Sequence, residues 1–143
     1  MPESEQGPRT NPAVTPELSR QRLAGTFPGH LGIELWEIAD ERVRGRMPVD
    51  ERHLHPMGEV HGGVWVAFAD TVAAWGTIRH LPDGSGFSTI ELKINVIASA
   101  RAGDVLNAVG TPIHIGTRTH VWQVQVFRGE RLAAHFGCTQ MLL

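Results

Sequence analysis

Cysteine is almost absent from this sequence of 143 residues, since Cys138 is the only one. One thiol excludes a disulfide framework within the chain and any zinc or iron-sulfur site built from cysteines. Lysine is as scarce, with Lys93 standing against twelve arginines, and the formal net charge is -2. We therefore expect no nucleic-acid partner and a reducing, cytoplasmic location.

Long hydrophobic runs are also missing. The longest apolar stretch, Val64 to Ile78, contains Asp70 and is too short to span a bilayer, so no membrane partner is expected. The polar segment from Met1 to Val14 lacks the positive region and apolar run of a signal peptide. We interpret residues 1–14 as a mobile tail and residues 15–143 as one domain, because a chain of this length can bury about two thirds of its surface.

Hydrophobic periodicity predicts the secondary structure. Thr15 can cap a short helix from Pro16 to Leu23, and the stretch from Val64 to His80 is apolar around its whole circumference, as in a helix enclosed by protein. Residues alternate with a period of two in six places, which predicts strands around 31–35, 43–49, 90–96, 105–115, 119–127 and 132–142. This order predicts an α+β fold in which an antiparallel sheet wraps around one long central helix. Its open edges favour a dimer.

A possible site lies where a loop turns into the central helix, at His61, Gly62 and Gly63. A helix start presents unpaired backbone N–H groups with partial positive charge, which can bind a carbonyl oxygen or an oxyanion. Paired glycines leave room for a ligand beside the backbone. The alternative is that they only permit a tight turn.

Asp70 is the second candidate, because an ionised, buried and unpaired carboxylate on an apolar helix would cost several kcal/mol. It can serve as base or nucleophile, or it can be a structural residue bonded to a backbone group or a hydroxyl. Gly62 and Asp70 are separated by about 12 Å along a helix. Attack requires atoms within about 3.5 Å. A carbonyl at Gly62 would therefore need Asp70 from a second chain, in a dimer with two shared sites.

The pattern of His55, Gly58, His61, Gly62 and Gly63 followed by Asp70 resembles the hotdog-fold thioesterases. The resemblance is to the branch that includes the phenylacetic-acid-pathway and 4-hydroxybenzoyl-CoA thioesterases, and it extends over residues 31–143. It includes the segments at 46–50, 102–104 and 116–119. The resemblance implies a hydrolase that converts an acyl-CoA to a free acid and coenzyme A, with no cofactor beyond the coenzyme A of the substrate. It also implies homodimers that pair into tetramers.

The resemblance further implies individual roles. The Gly62 N–H would polarise the thioester carbonyl, Asp70 would attack it or activate water, and His61 would orient the helix start. His55 stands where these enzymes usually have Asn or Gln to place the carbonyl or the water. Ala74 stands where a Ser or Thr is common.

The resemblance also implies contacts with the substrate. Gly63 would allow close approach of the substrate, and Arg101 and Arg118 are candidates for the coenzyme A phosphates, with backbone access at Gly116 and Thr117. The alternative is that both arginines are solvated surface residues. Relatives often have Arg-Pro where this chain has residues 98 and 99. Trp65, Phe68 and Trp75 are interpreted mostly as core, with one face lining a pocket for an aromatic or medium-chain acyl group.

Three other interpretations of these residues are possible. His53, His55, His61 and Glu59 match no common zinc spacing, so no metal site is expected. A hotdog dehydratase acting on a 3-hydroxyacyl thioester would use a histidine and an acid, but its usual loop has proline where this chain has residues 61–63. A non-catalytic acyl-CoA-binding module would need the pocket but not Asp70.

Overall fold

The computed structural model describes residues 10–143 and contains three α-helices and six strands in that range. The helices are α1 (Pro16–Leu23), α2 (Phe27–His30) and α3 (Gly62–Arg79). The strands are β1 (Glu34–Ile38), β2 (Val43–Pro48), β3 (Phe87–Val96), β4 (Val105–Ile115), β5 (Thr119–Arg128) and β6 (Arg131–Leu142). No helix in residues 10–143 has both the length and the apolar character needed to cross a membrane.

The six strands form one antiparallel sheet in the order β1-β2-β4-β5-β6-β3. The α3 helix lies against its inner face and is buried over most of its length, which confirms the predicted hotdog arrangement. The sheet comes very close to this helix at Gly76, where an added Cβ would lie 2.4 Å from the ring of Trp122. Any larger residue at position 76 would push the helix away from the sheet.

The outer strands of the sheet are β1 and β3. Within the described chain, β3 pairs with β6 alone, so its other edge of ten residues has unpaired backbone groups. Apolar side chains along and just beyond this strand are exposed, namely Ile90, Leu92, Val96 and Ile97. A long apolar edge of this kind is a pairing surface for another chain.

A buried polar cluster anchors the carboxyl-terminal half of α3. The Thr77 hydroxyl lies 2.9 Å from Nδ1 of His120, accepts the Trp122 indole N–H at 3.0 Å and contacts Gln140. Burial, together with the nearby imidazoles of His80 and His114, lowers the pKa of His120 to about 4. The ring is therefore neutral at pH 7.

The structure differs from the sequence-based boundaries near the amino terminus. Val14 is only 1% exposed, and the Asn11 N–H donates to the Arg79 carbonyl at 2.7 Å, so residues 10–14 pack against the domain rather than extending as a tail. Residues 1–9, the rest of the predicted tail, lie outside the described residues. The α1 helix and its Thr15 cap are confirmed.

Candidate active site

His53 fixes the loop that precedes α3. The Asp50 N–H donates to its Nδ1 at 3.0 Å, and its Nε2 lies 2.7 Å from the Leu31 carbonyl oxygen. The ring is fully buried, and its backbone carbonyl accepts the His61 N–H at 2.9 Å. His53 thus joins three segments of the chain and has no free nitrogen for a ligand.

His55 begins a tight turn whose glycine, Gly58, has a φ of +86°. The Met57 N–H donates to His55 Nδ1 at 3.1 Å, and the His55 N–H donates to the Glu59 carbonyl at 2.8 Å. Because Nδ1 accepts a hydrogen bond, the neutral ring carries its proton on Nε2. His55 therefore has one N–H available to a ligand.

The start of α3 presents a free backbone donor. His61 is the N-cap, its Nδ1 accepting the Gly63 N–H at 2.8 Å and its carbonyl accepting the Val64 N–H at 2.9 Å. None of the hydrogen bonds found within residues 10–143 uses the Gly62 N–H. An added Cβ at Gly62 would meet no atom within 4 Å, and its φ is not positive. Neither a tight turn nor packing within the chain therefore requires glycine at position 62.

A cleft of about 310 Å³ opens beside this donor. Its wall combines the loop before α3, the first turns of the helix and the segment after β3. The lining residues are His55, Glu59, Val60, Gly62, Trp65, Val96, Ile97, Ala98 and Ser99. The cleft therefore presents an apolar surface beside an N–H donor, as expected of a small-molecule site.

Asp70 lies farther along α3 and does not line this cleft. The Thr89 hydroxyl donates to its Oδ1 at 3.0 Å. Asp70 therefore does bond to a hydroxyl group, as the structural interpretation of this residue predicts. No hydrogen bond within residues 10–143 uses its Oδ2. Partial burial raises the pKa of Asp70, and the hydrogen bond from Thr89 partly opposes that rise. The free oxygen is consequently a stronger base than that of an ordinary exposed aspartate.

The predicted phosphate-binding residues fall into two separate groups. Nη2 of Arg101 lies 3.4 Å from Oε1 of Glu59, at the edge of the cleft. The second group, Gly116, Thr117 and Arg118, lies in the β4–β5 connection. This connection is near the opposite end of α3, as the contact between Thr77 of α3 and His120 of β5 shows. Fifteen residues of helix between Gly62 and Thr77 correspond to about 22 Å. Within one chain, the structure brings only Arg101 to the cleft.

The aromatic residues of α3 are mostly core, as expected. Phe68 and Trp75 are buried away from the cleft, whereas Trp65 is buried but contributes to the cleft wall. No group of three or more potential metal-binding side chains occurs in the described part of the chain.

Three residues near the site, Glu59, Thr89 and Arg128, have no assigned role in the sequence-based prediction. Nη1 of Arg128 donates to the Ser99 carbonyl beside the cleft. Only Glu59 had a signal in the sequence, since it lies inside the His55–His61 motif.

Comparison with known proteins identifies the family. The Thioesterase superfamily profile matches residues 57–134. The 1,4-dihydroxy-2-naphthoyl-CoA hydrolase of Escherichia coli is 33% identical over 114 residues, covering 80% of this chain and 83% of that protein. The solved structure of thioesterase HI1161 from Haemophilus influenzae has a TM-score of 0.84 and 29% identity, covering 90% of each chain. A variant of thioesterase PA1618 from Pseudomonas aeruginosa also has a TM-score of 0.84, with 25% identity over 90% of this chain and 93% of that one. This chain therefore belongs to the Thioesterase superfamily and is a thioester hydrolase with the hotdog fold.

Proposed function

We propose that the protein hydrolyses acyl-CoA thioesters, with the Gly62 N–H as the donor that polarises the thioester carbonyl. The observation that carries this proposal is the N–H of Gly62, which has no partner within residues 10–143 and belongs to a residue that lines an apolar cleft. The helix start adds partial positive charge where negative charge develops on the carbonyl oxygen during attack. The Nε2–H of His55 is suited to supply a second hydrogen bond to the carbonyl or to the attacking water.

Asp70 is the proposed base or nucleophile. As base, its free Oδ2 takes a proton from water, the water oxygen attacks the carbonyl carbon, and the carbon–sulfur bond breaks to release coenzyme A as the thiol. As nucleophile, the carboxylate attacks the carbonyl carbon and the carbon–sulfur bond breaks, which expels the coenzyme A thiolate and leaves a mixed anhydride. Water then cleaves the anhydride to the free acid and regenerates Asp70, and the thiolate takes up the proton that this water releases. Both routes consume only water, so neither requires a cofactor.

The site requires two copies of the chain. Gly62 and Asp70 of one chain are about 12 Å apart along α3. Asp70 accepts a hydrogen bond from Thr89, which lies near the start of β3, whereas the cleft lies at the end of β3. In a symmetric antiparallel pairing of two β3 edges centred between Leu92 and Lys93, position 89 of one copy faces position 96 of the other. Asp70 of each copy would then approach the cleft of the other. The unpaired apolar β3 edge supports this dimer, and two such dimers would form the proposed tetramer.

The cleft wall indicates the substrate class. Trp65, Val96, Ile97 and Ala98 offer an apolar surface to the acyl group, which favours an aromatic or medium-chain acid. The single free thiol of Cys138 is buried, and burial raises its pKa to about 12, which is compatible with the proposed cytoplasmic location.

Thiol release from a panel of aromatic and aliphatic acyl-CoAs tests the proposal. We expect turnover by the wild type and a loss of at least about 100-fold in Asp70→Asn, at matched thermal stability. Asp83→Asn removes the same charge from an exposed loop and should leave the rate unchanged. Equal rates in wild type and Asp70→Asn would exclude Asp70 as the reacting group. Absence of release from every thioester would instead favour the dehydratase or the binding module.

A further inference from the structure

We propose that Glu59 is a specificity-determining residue that weakens binding of phosphate-bearing carrier thiols by occupying Arg101. This inference rests on the proposed acyl-CoA hydrolysis and identifies which part of the substrate Glu59 acts on. Its basis is the position of a carboxylate in the wall of the cleft, paired with the one arginine of the predicted phosphate-binding set that lies beside that cleft.

Both partners of this ion pair start from fixed backbone positions. The Glu59 carbonyl accepts the His55 N–H at 2.8 Å, within the turn that also carries His55 into the cleft. The Arg101 N–H donates to Oδ2 of Asp104 at 2.8 Å, which closes the turn before β4. The 3.4 Å contact between the two side chains therefore joins two ordered loops at the mouth of the cleft.

The pair is too exposed to be strong. The side chain of Arg101 is 72% exposed, that of Glu59 is 36% exposed, and a single contact links them. An ion pair of this kind shifts an equilibrium by no more than about fivefold. A phosphate, by contrast, can take two hydrogen bonds from one guanidinium. A phosphate group at the mouth of the cleft would therefore displace the carboxylate from Arg101.

Displacement leaves a cost that depends on the substrate. Once the guanidinium turns to a phosphate, the Glu59 carboxylate lies beside a second anion and has lost its partner. A coenzyme A thioester, which bears a pyrophosphate and a phosphate monoester, experiences this repulsion. A thioester of the same acid with a short uncharged thiol does not. Glu59 thus lowers the preference of the cleft for phosphate-bearing carriers without touching the acyl group.

Steady-state kinetics with paired substrates tests the inference. For an acyl-CoA we expect Glu59→Gln to lower KM by about two- to fivefold with kcat unchanged. For the N-acetylcysteamine thioester of the same acid, neither constant should change. Glu41→Gln removes the same charge from the β1–β2 turn, near the opposite end of α3, and controls for net charge. Equal changes for both substrates would overturn the inference, because Glu59 would then act on the part that the two thioesters share.

Calorimetric binding of free coenzyme A separates this inference from the proposed function. We expect Glu59→Gln to bind coenzyme A more tightly than the wild type, and Arg101→Gln to bind it more weakly. The double variant should bind it more weakly than Glu59→Gln does, because Arg101 no longer holds the phosphate, and more tightly than Arg101→Gln does, because the Glu59 charge no longer repels it. Tighter binding by Glu59→Gln in a protein that hydrolyses no thioester would uphold the role of Glu59 while refuting the hydrolase. An active enzyme whose coenzyme A affinity is the same in wild type and Glu59→Gln would uphold the hydrolase and refute the role of Glu59.

Discussion

Replacing Gly62 by proline would remove one N–H from the cleft and change very little else. Gly62 is the first residue of α3, a position where proline is well tolerated because the missing N–H has no helical partner. The preceding residue, His61, has φ -62° and ψ 140°, which is the conformation that a following proline requires. A Cβ at position 62 meets no atom of the described chain within 4 Å. The substitution therefore removes the proposed oxyanion donor at a position where the fold accepts proline.

The expected magnitude follows from the number of donors removed. Loss of one oxyanion donor costs about 100- to 1000-fold in kcat, or roughly 3–4 kcal/mol of transition-state stabilisation. Stability should move in the opposite direction, because a compatible proline restricts the unfolded chain and stabilises a protein by about 0.4–1 kcal/mol. We therefore expect the kcat of Gly62→Pro to collapse while its Tm stays equal to or above that of the wild type.

Thiol release under saturating acyl-CoA measures kcat, and a thermal melt on the same preparation measures Tm. Gly62→Ala is the matched control, since it keeps the N–H and adds only a Cβ. A Gly62→Pro variant with the kcat of the wild type would refute the assignment of the donor. An equally large loss in Gly62→Ala would attribute the effect to steric bulk rather than to the N–H.

Three further outcomes are expected. Mixing inactive Gly62→Pro with inactive Asp70→Asn under subunit exchange should restore about one quarter of wild-type activity, because half of the dimers then hold one intact shared site; no recovery would place each site within one chain. Thr89→Val should raise the pKa of Asp70 further, moving the acidic limb of the kcat/KM profile to higher pH, whereas Thr89→Ser should keep the wild-type profile. The pKa of His120 is about 4 in the folded state and near 6.5 when unfolded. The contribution of the neutral ring to the free energy of unfolding is therefore fully present above pH 6.5 and is lost as the pH drops towards 4. Urea titrations should show a loss of about 2 kcal/mol between pH 7 and pH 5, and His120→Asn should reduce that loss.

Most of the fold could be predicted from the sequence because period-two and all-apolar patterns report burial directly. The β4 bounds, Val105–Ile115, agree at both ends. The central helix begins at Gly62, two residues before the apolar run from Val64, because glycine has low helix propensity and the apolar pattern starts only at Val64. The predicted junction at His61–Gly63 is confirmed, with the His61 side chain as the cap. The α2 helix was missed because its four residues include a proline and a glycine, which read as a break.

The site was only partly predictable, because its pairs join distant segments. Gly62 and His55 lie in one local motif, and the structure does bring them to one cleft. Thr89 meets Asp70 from a different element, 19 residues away, and Glu59 meets Arg101 from 42 residues away. No periodicity encodes such contacts, since they depend on sheet register.

The buried ring of His53 has a consequence for mutational scanning. A screen that scores activity alone would rank this histidine with the reacting groups, because losing either of its two ring hydrogen bonds would let the loop carrying His55 and the start of α3 shift. Its buried ring does not line the cleft, so it affects the reaction only by holding the residues of the site in position. Libraries built on this scaffold should therefore keep position 53 fixed when they vary the cleft wall.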